Sequence, residues 1–181
     1  HVTHIHELFR SLRAKINYRL EIVQGKSFIV SGYDSGDGKS LIASNIAIMA
    51  AQQHIPTLLI DGDMRRGVLH DTFAVDNQPG LSDLLLSDVQ ITEQMIRSTI
   101  KPTPFSHLFL LTCGTPIENS TELLTRPRFR GIMQWISARF AMVIIDSPPL
   151  SPVTDPVILS SMVYGVMLVV RAGRTNTAGF N

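Results

Sequence analysis

The sequence predicts an α/β fold, a mostly parallel β-sheet flanked by helices. Three observations carry that prediction. Ser27-Phe28-Ile29-Val30, Thr57-Leu58-Leu59-Ile60 and Ala141-Met142-Val143-Ile144-Ile145 are continuous apolar runs without the alternation of a half-exposed strand. Runs of that kind suit strands buried on both faces, as in a parallel sheet. Helical patterns separate the runs, and strands alternating with helices pair in parallel through right-handed crossovers.

Taken in order, a helix is expected over 4–20, then a strand at 26–31, a helix at 39–53 and a strand at 57–61. Asn77-Gln78-Pro79-Gly80 breaks the chain before two short helical patterns at 81–87 and 89–98. Lys101-Pro102-Thr103-Pro104 reads as a loop before a strand at 107–112. Ser120 to Phe140 reads as a helix in which Pro127 marks either the true start or a kink. Strands follow at 141–145 and 165–170.

The chain has 181 residues, enough for one domain with a sizeable core, and residues 1–181 are expected to form that single domain. At 44% hydrophobic and 17% charged it is globular in composition, and a net charge of +1 gives no support for bulk nucleic-acid binding. The single Cys113 excludes an intrachain disulfide and reads as a buried small residue. No apolar stretch reaches the length of a membrane span. The first residue is His1 rather than Met, so a piece of a longer protein is expected.

Ser35-Gly36-Asp37-Gly38-Lys39-Ser40 follows the first apolar run and leads into Leu41-Ile42-Ala43 and a long helical pattern. That is a phosphate-binding loop, the mark of the P-loop NTPase architecture. Glycines let successive backbone N–H groups turn inward, and the helix start favours an anion. Lys39 suits β- and γ-phosphates and the Ser40 hydroxyl suits Mg²⁺. The usual first glycine would fall at position 33, which is Tyr33, with Gly32 one residue early. The second run stops at Asp61-Gly62-Asp63-Met64-Arg65-Arg66 and the third at Asp146-Ser147-Pro148-Pro149. Acidic residues at strand ends of such a sheet lie at the ligand crevice, where Mg²⁺ and a triphosphate would pair them.

These three segments resemble the Walker A, A′ and B motifs of bacterial tyrosine kinases (BY-kinases). Glu7, Arg10 and Arg13 resemble that family's Glu-x-x-Arg-x-x-Arg oligomerisation motif, and Gly80 to Leu85 and Asn119 to Leu124 resemble two further family stretches. The resemblance implies an ATP- and Mg²⁺-dependent protein-tyrosine autokinase controlling the polymerisation and export of capsular or extracellular polysaccharide. It places Ser35, Gly36, Asp37, Gly38, Lys39, Ser40 and Leu41 around the nucleotide. It assigns Lys39, Asp61 and Asp63 to catalysis and Ser40, Asp63 and Asp146 to the metal. It implies a ring-type homo-oligomer joined through the N-terminal helix at Glu7, Arg10 and Arg13. Its other partners are a transmembrane polysaccharide co-polymerase or activator and the tyrosine-rich tail of a neighbouring subunit, at the cytoplasmic side of the bacterial inner membrane. Family loops usually carry proline at Ser35 and a small residue at Tyr33. The tyrosine tail is not in this chain, whose tyrosines are Tyr18, Tyr33 and Tyr164.

Other readings stay open. A MinD/ParA-type ATPase, using ATP as a dimerisation switch, shares the fold, but its loop normally carries a lysine where this chain has Tyr33. A nucleotide-gated assembly module would bind ATP without turnover. The spacing of Glu7, Arg10 and Arg13 alone also suits an ordinary solvated helix face, with Leu8, Leu12 and Ile16 on the face beside it. His1, His4 and His6 are loosely spaced metal candidates, His70 packs or caps beyond the second motif, and Trp135 and Phe140 read as core. Asp155 either caps the next helix or touches nucleotide.

Overall fold

The computed structural model describes residues 2–22, 26–151 and 153–173. In chain order the elements are α1 (Val2–Ile22), β1 (Ser27–Gly32), α2 (Lys39–Ala51), β2 (Thr57–Asp61), α3 (Leu69–Phe73), α4 (Leu81–Leu86) and α5 (Glu93–Thr99). They continue with β3 (Lys101–Pro102), β4 (Leu108–Leu111), α6 (Ser120–Thr125), α7 (Pro127–Arg139), β5 (Met142–Asp146), α8 (Asp155–Ser160) and β6 (Gly165–Val169).

Among the described residues the strands form one sheet in the order β3-β4-β2-β5-β1-β6. Every neighbouring pair is parallel except the short β3 with β4. β1, β2 and β5 are buried along their whole length, which explains their unbroken apolar runs. Their side chains still alternate between two cores. Phe28, Val30, Leu59, Met142 and Ile144 pack with Ile16 of α1, the alanines of α2 and Leu69 and Phe73 of α3. Ile29, Leu58, Ile60, Val143 and Ile145 pack with α4 to α8 on the other face. Ala43, Ala47, Ala50 and Ala51 let α2 lie close on the sheet, so the start of that helix stays fixed above the end of β1.

Two expectations need correction. Lys101 and Pro102 are not a loop but a short antiparallel edge strand, paired with Leu110 and Phe109. Proline is tolerated there because an edge strand has a side on which no N–H is needed. The stretch from Ser120 to Phe140 is two helices, with Arg126 extended between them. The ring of Pro127 pushes Arg126 out of the helical region while fitting the first position of α7, so Pro127 is a start and not a kink. No helix among the described residues is long and apolar enough to cross a membrane.

Candidate functional site

The end of β1 and the start of α2 frame the phosphate-loop sequence. Gly36 and Gly38 have φ of 84° and 93°, and a Cβ at either would meet nothing within 4 Å. It is therefore left-handed backbone, not lack of space, that calls for glycine at both. Gly32 differs: a Cβ there would lie 2.9 Å from Val169 O, because the backbone of β6 passes close by. The Asp37 carboxylate accepts from Asp34 N at 2.9 Å and shapes the turn from within. Lys39 is buried and its Nζ donates to Asp34 O at 2.7 Å. Both the charge and the loop that must wrap a polyphosphate are thus held in place in advance.

The loop after β2 is ordered by its own carboxylates. Asp61 Oδ1 accepts from Asp63 N at 3.3 Å and Oδ2 from Leu69 N at 3.0 Å. Asp63 Oδ1 accepts from Arg65 N at 3.2 Å and Arg66 N at 3.0 Å. These local bonds are the reason short acidic side chains stand in such a turn. The loop then enters α3, where His70 lies half-buried and packs, with its Nδ1 buried and without a hydrogen-bond partner.

Asp146 ends β5 and is also buried, with Oδ1 lacking a hydrogen-bond partner. Burial pushes its carboxyl up to about 7, against the pull of the Ser40 hydroxyl and the Lys39 ammonium. Burial likewise lifts Asp61 to about 7, with Asp146 and Asp63 adding repulsion and the N–H groups of Leu69 and Asp63 opposing. At both carboxyls burial outweighs the groups that favour the charged form, Lys39 and Ser40 at Asp146 and two backbone N–H groups at Asp61.

One cleft of about 490 Å³ joins these parts. Ser35, Gly36, Gly38, Lys39, Ser40 and Leu41 line it from the loop, Asp61, Asp63, Arg65 and Arg66 from the second motif, and Asp146 to Pro149 from the third. The structure therefore brings the expected catalytic, metal and nucleotide residues together. Among the expected loop residues Asp37 stands apart, its side chain turned to Asp34 N and not lining the cleft. Tyr33 does not line it either. The site fits a nucleotide with a divalent cation: left-handed glycines above, a fixed lysine, a serine hydroxyl and an orphaned buried carboxylate oxygen.

The sequence left the role of Asp155 open; it opens α8, where no side-chain cap bond is made, and does not line the cleft. Its buried carboxylate accepts from Arg65 NH1 at 2.6 Å and from the hydroxyls of Ser120 and Thr121. Burial works to raise this carboxyl, but the Ser120, Thr121 and Arg65 bonds outweigh it and hold it below the usual range. Arg65 Nε also donates to Glu118 O at 3.1 Å, so Arg65 ties the cleft loop to the α6 and α8 segments. The doubled arginine was visible in the sequence, but a partner 90 residues away has no sequence signal.

The N-terminal residues divide. Glu7 and Arg10 are exposed on α1, whereas Arg13 NH1 donates to Met49 O at 3.2 Å and ties α1 to α2. Leu12 and Ile16 pack on the core, and Leu8 is 56% exposed. His1 and the side chains of His4 and His6 lie outside the described residues. Cys113 is buried, as expected, while Trp135 and Phe140 sit at the margin of the core.

No family model matches the chain. It is 34% identical over 169 residues to tyrosine-protein kinase YwqD of Bacillus subtilis, covering 93% of this chain and 69% of that protein. It is 34% identical over 165 residues to tyrosine-protein kinase wzc of Salmonella typhi, covering 91% of this chain but 22% of that protein, so it spans about a fifth of that relative's length. The solved kinase domain of Escherichia coli tyrosine kinase ETK matches with a TM-score of 0.88 at 28% identity, over 96% of this chain and 66% of that one. The septum site-determining protein MinD of Pyrococcus horikoshii, solved with Mg-ADP, matches with a TM-score of 0.64 at 18% identity, over 80% of this chain and 58% of that one; this is a likeness of fold alone.

Proposed function

This chain belongs to the bacterial tyrosine-protein kinases, and on that premise we propose that it uses ATP with Mg²⁺ to phosphorylate protein tyrosines. The observation that carries the reading is the single cleft in which Lys39, Ser40, Asp61, Asp63 and Asp146 meet. A bound Mg²⁺ supplies the positive charge that offsets phosphate oxygens and the two buried carboxylates. Ser40, Asp63 and Asp146 are the residues to hold it, and backbone amides from Ser35 to Leu41 are the residues to wrap the phosphates.

Lys39 stands against the charge that develops on the transferred phosphoryl group. Asp61 orients the incoming tyrosine hydroxyl and takes its proton. An ordinary aspartate is a poor base for a phenol of pKa about 10. Burial of Asp61 works towards closing that gap, and a bound cation works against it. The remainder of the rate comes from positioning.

The wider assignment follows from the same family. The tyrosines modified lie in a tyrosine-rich tail of a neighbouring subunit. The subunits form a ring through α1, with Glu7, Arg10 and Arg13 at the contact. Activity depends on a transmembrane polysaccharide co-polymerase at the cytoplasmic side of the inner membrane, and the process served is capsular or extracellular polysaccharide polymerisation and export. Residues 1–181 act as its single kinase domain.

The deciding experiment incubates the chain, with a tyrosine-rich peptide and separately with its activating partner, in labelled ATP and Mg²⁺, and maps label by mass spectrometry. Label on tyrosine that disappears in Lys39→Met supports the kinase. ATP hydrolysis without phosphotyrosine under both conditions overturns it in favour of an ATP-driven dimerisation switch of the MinD/ParA type. Binding without turnover leaves an assembly module.

A further inference from the structure

Beneath the cleft floor the Asp61 carboxylate meets two side chains, His70 and Cys113, that the phosphoryl-transfer reading does not use. Asp61, His70 and Cys113 each present one ligand atom, and these atoms all lie within 4.8 Å of one another. We propose that they form a regulatory site for a soft divalent cation, zinc in particular, distinct from the Mg²⁺ position.

Four features of the site support this. His70 Nδ1 is buried and has no hydrogen-bond partner, although a buried ring nitrogen ordinarily finds one. The other nitrogen, Nε2, lies 3.5 Å from Asp71 Oδ1. With the proton on Nε2, the side nearer Asp71, the buried Nδ1 has a lone pair to give. Gly67 provides the opening. A Cβ there would lie 2.5 Å from Cys113 Sγ and 2.6 Å from Asp61 Oδ2, so the missing side chain is what lets thiol and carboxylate face one another. The donor set, one sulfur, one imidazole and one carboxylate, is one that zinc accepts with a fourth position left open.

The same donor set separates this site from the nucleotide site. Mg²⁺ takes oxygen ligands and has little affinity for thiolate or imidazole. Tetrahedral zinc holds its ligand atoms roughly 3.3–3.6 Å apart for bonds of about 2.0–2.3 Å. From within 4.8 Å of one another, the three ligand atoms draw together by up to roughly 1.5 Å on binding. On binding, the thiol proton passes to solvent and Cys113 gives up its 3.2 Å bond to Asn77 Oδ1, which keeps the N–H of Gly114.

Occupancy would hold the Asp61 carboxylate away from an incoming hydroxyl, so zinc would switch the enzyme off. That consequence rests on Asp61 being the base; the binding does not. The test exploits Cys113 being the single cysteine of the chain. Co²⁺ is titrated into metal-free protein held reduced, with Mg²⁺ present throughout, and thiolate-to-cobalt charge transfer is followed by absorption. One equivalent is expected to give the band, and Zn²⁺ to displace it. Cys113→Ser should abolish it, and His70→Ala should weaken binding by at least about tenfold. Absence of the band in folded wild-type protein overturns the site, as does a band of unchanged affinity in His70→Ala. The role of Asp61 is judged separately, from tyrosine labelling by metal-depleted Asp61→Asn in Mg²⁺ alone.

Discussion

Asp61 and Asp146 are register partners on adjacent parallel strands, so two buried carboxylates stand side by side at the floor of the cleft. Strand pairing between β2 and β5 imposes this, since Ile60 pairs with Ile145 one step before. With both carboxyls raised to about 7, the nucleotide-free protein keeps protons that the unfolded chain releases near its ordinary carboxylate range. The native state therefore binds more protons between the two ranges, and stability falls as pH rises. The contribution is complete below about pH 4 and lost as pH passes through about 7. Thermal unfolding without nucleotide should show this decline, on the order of a few kcal/mol. Asp146→Asn should flatten it. Saturating nucleotide with Mg²⁺ at pH 7.5 should raise stability by about 2.7 kcal/mol at a hundredfold excess over Kd.

Lys39 is already placed by its bond to Asp34 O, so its charge costs little reorganisation when phosphate charge develops. Lys39→Met removes the charge from a buried position while keeping the apolar stem. Turnover of ATP is expected to fall by roughly a hundredfold to a thousandfold or more, the scale of losing one preorganised charge or donor. Steady-state hydrolysis assays check this, with circular dichroism showing that the fold persists.

Asp155 is predicted to matter through Arg65. Asp155→Ala leaves the guanidinium and two hydroxyls without their common acceptor. Removing one partner of a buried ion pair costs about 3–5 kcal/mol, and the partial exposure of Arg65 puts this case at the lower end. Urea unfolding measures the loss. Asp155→Asn keeps one acceptor oxygen, enough for one of the Ser120 and Thr121 hydroxyls, and should recover part of it. In both variants the charged tie from the cleft loop to α8 is lost, while Arg65 keeps Glu118 O, so KM for nucleotide should rise even where the protein is fully folded.

Much of this architecture was legible in the sequence because it is local. The runs that became β1, β2 and β5 are apolar without interruption because both faces are covered, and the glycines at 36 and 38 mark backbone that only glycine adopts cheaply. Pro127 announced a helix start or a kink, and only the extended Arg126 decided which. The illegible parts depend on chain segments far apart. Asp155 meets Ser120, Thr121 and Arg65 through the sheet order, and Cys113 meets Asp61 through the β2–β4 neighbourhood. The α3 helix was unreadable for another reason: five residues are too few for a helical period to show.

Gly67 should be intolerant of even one carbon. A Cβ would stand 2.7 Å from Cys113 Cβ as well as crowding Cys113 Sγ and Asp61 Oδ2. Gly67→Ala is expected to cost about 1–3 kcal/mol, the scale of overpacking. Cys113→Ala in the same protein removes the sulfur contact but keeps the Cβ contact, so it should restore part of the stability and not all. A double-mutant cycle by chemical denaturation gives the coupling. Loss of tyrosine labelling in Gly67→Ala should exceed the loss of stability, since the displaced atom belongs to Asp61.

The N-terminal helix allows packing and assembly to be tested apart. Arg13 bonds to Met49 O within its own chain, so Arg13→Ala loosens α1 from α2 whatever the oligomer does. Arg10 is exposed, and Glu7 and Leu8 are exposed beside it. An exposed side chain of this kind contributes little to the monomer, within about 0.5 kcal/mol. Arg10→Ala should therefore leave thermal stability at low concentration unchanged while shifting the mass seen by light scattering from ring to monomer. Arg13→Ala should lower both. If Arg10→Ala assembles as wild type does, α1 is a packing element of the single subunit, and the contact between subunits must be sought elsewhere.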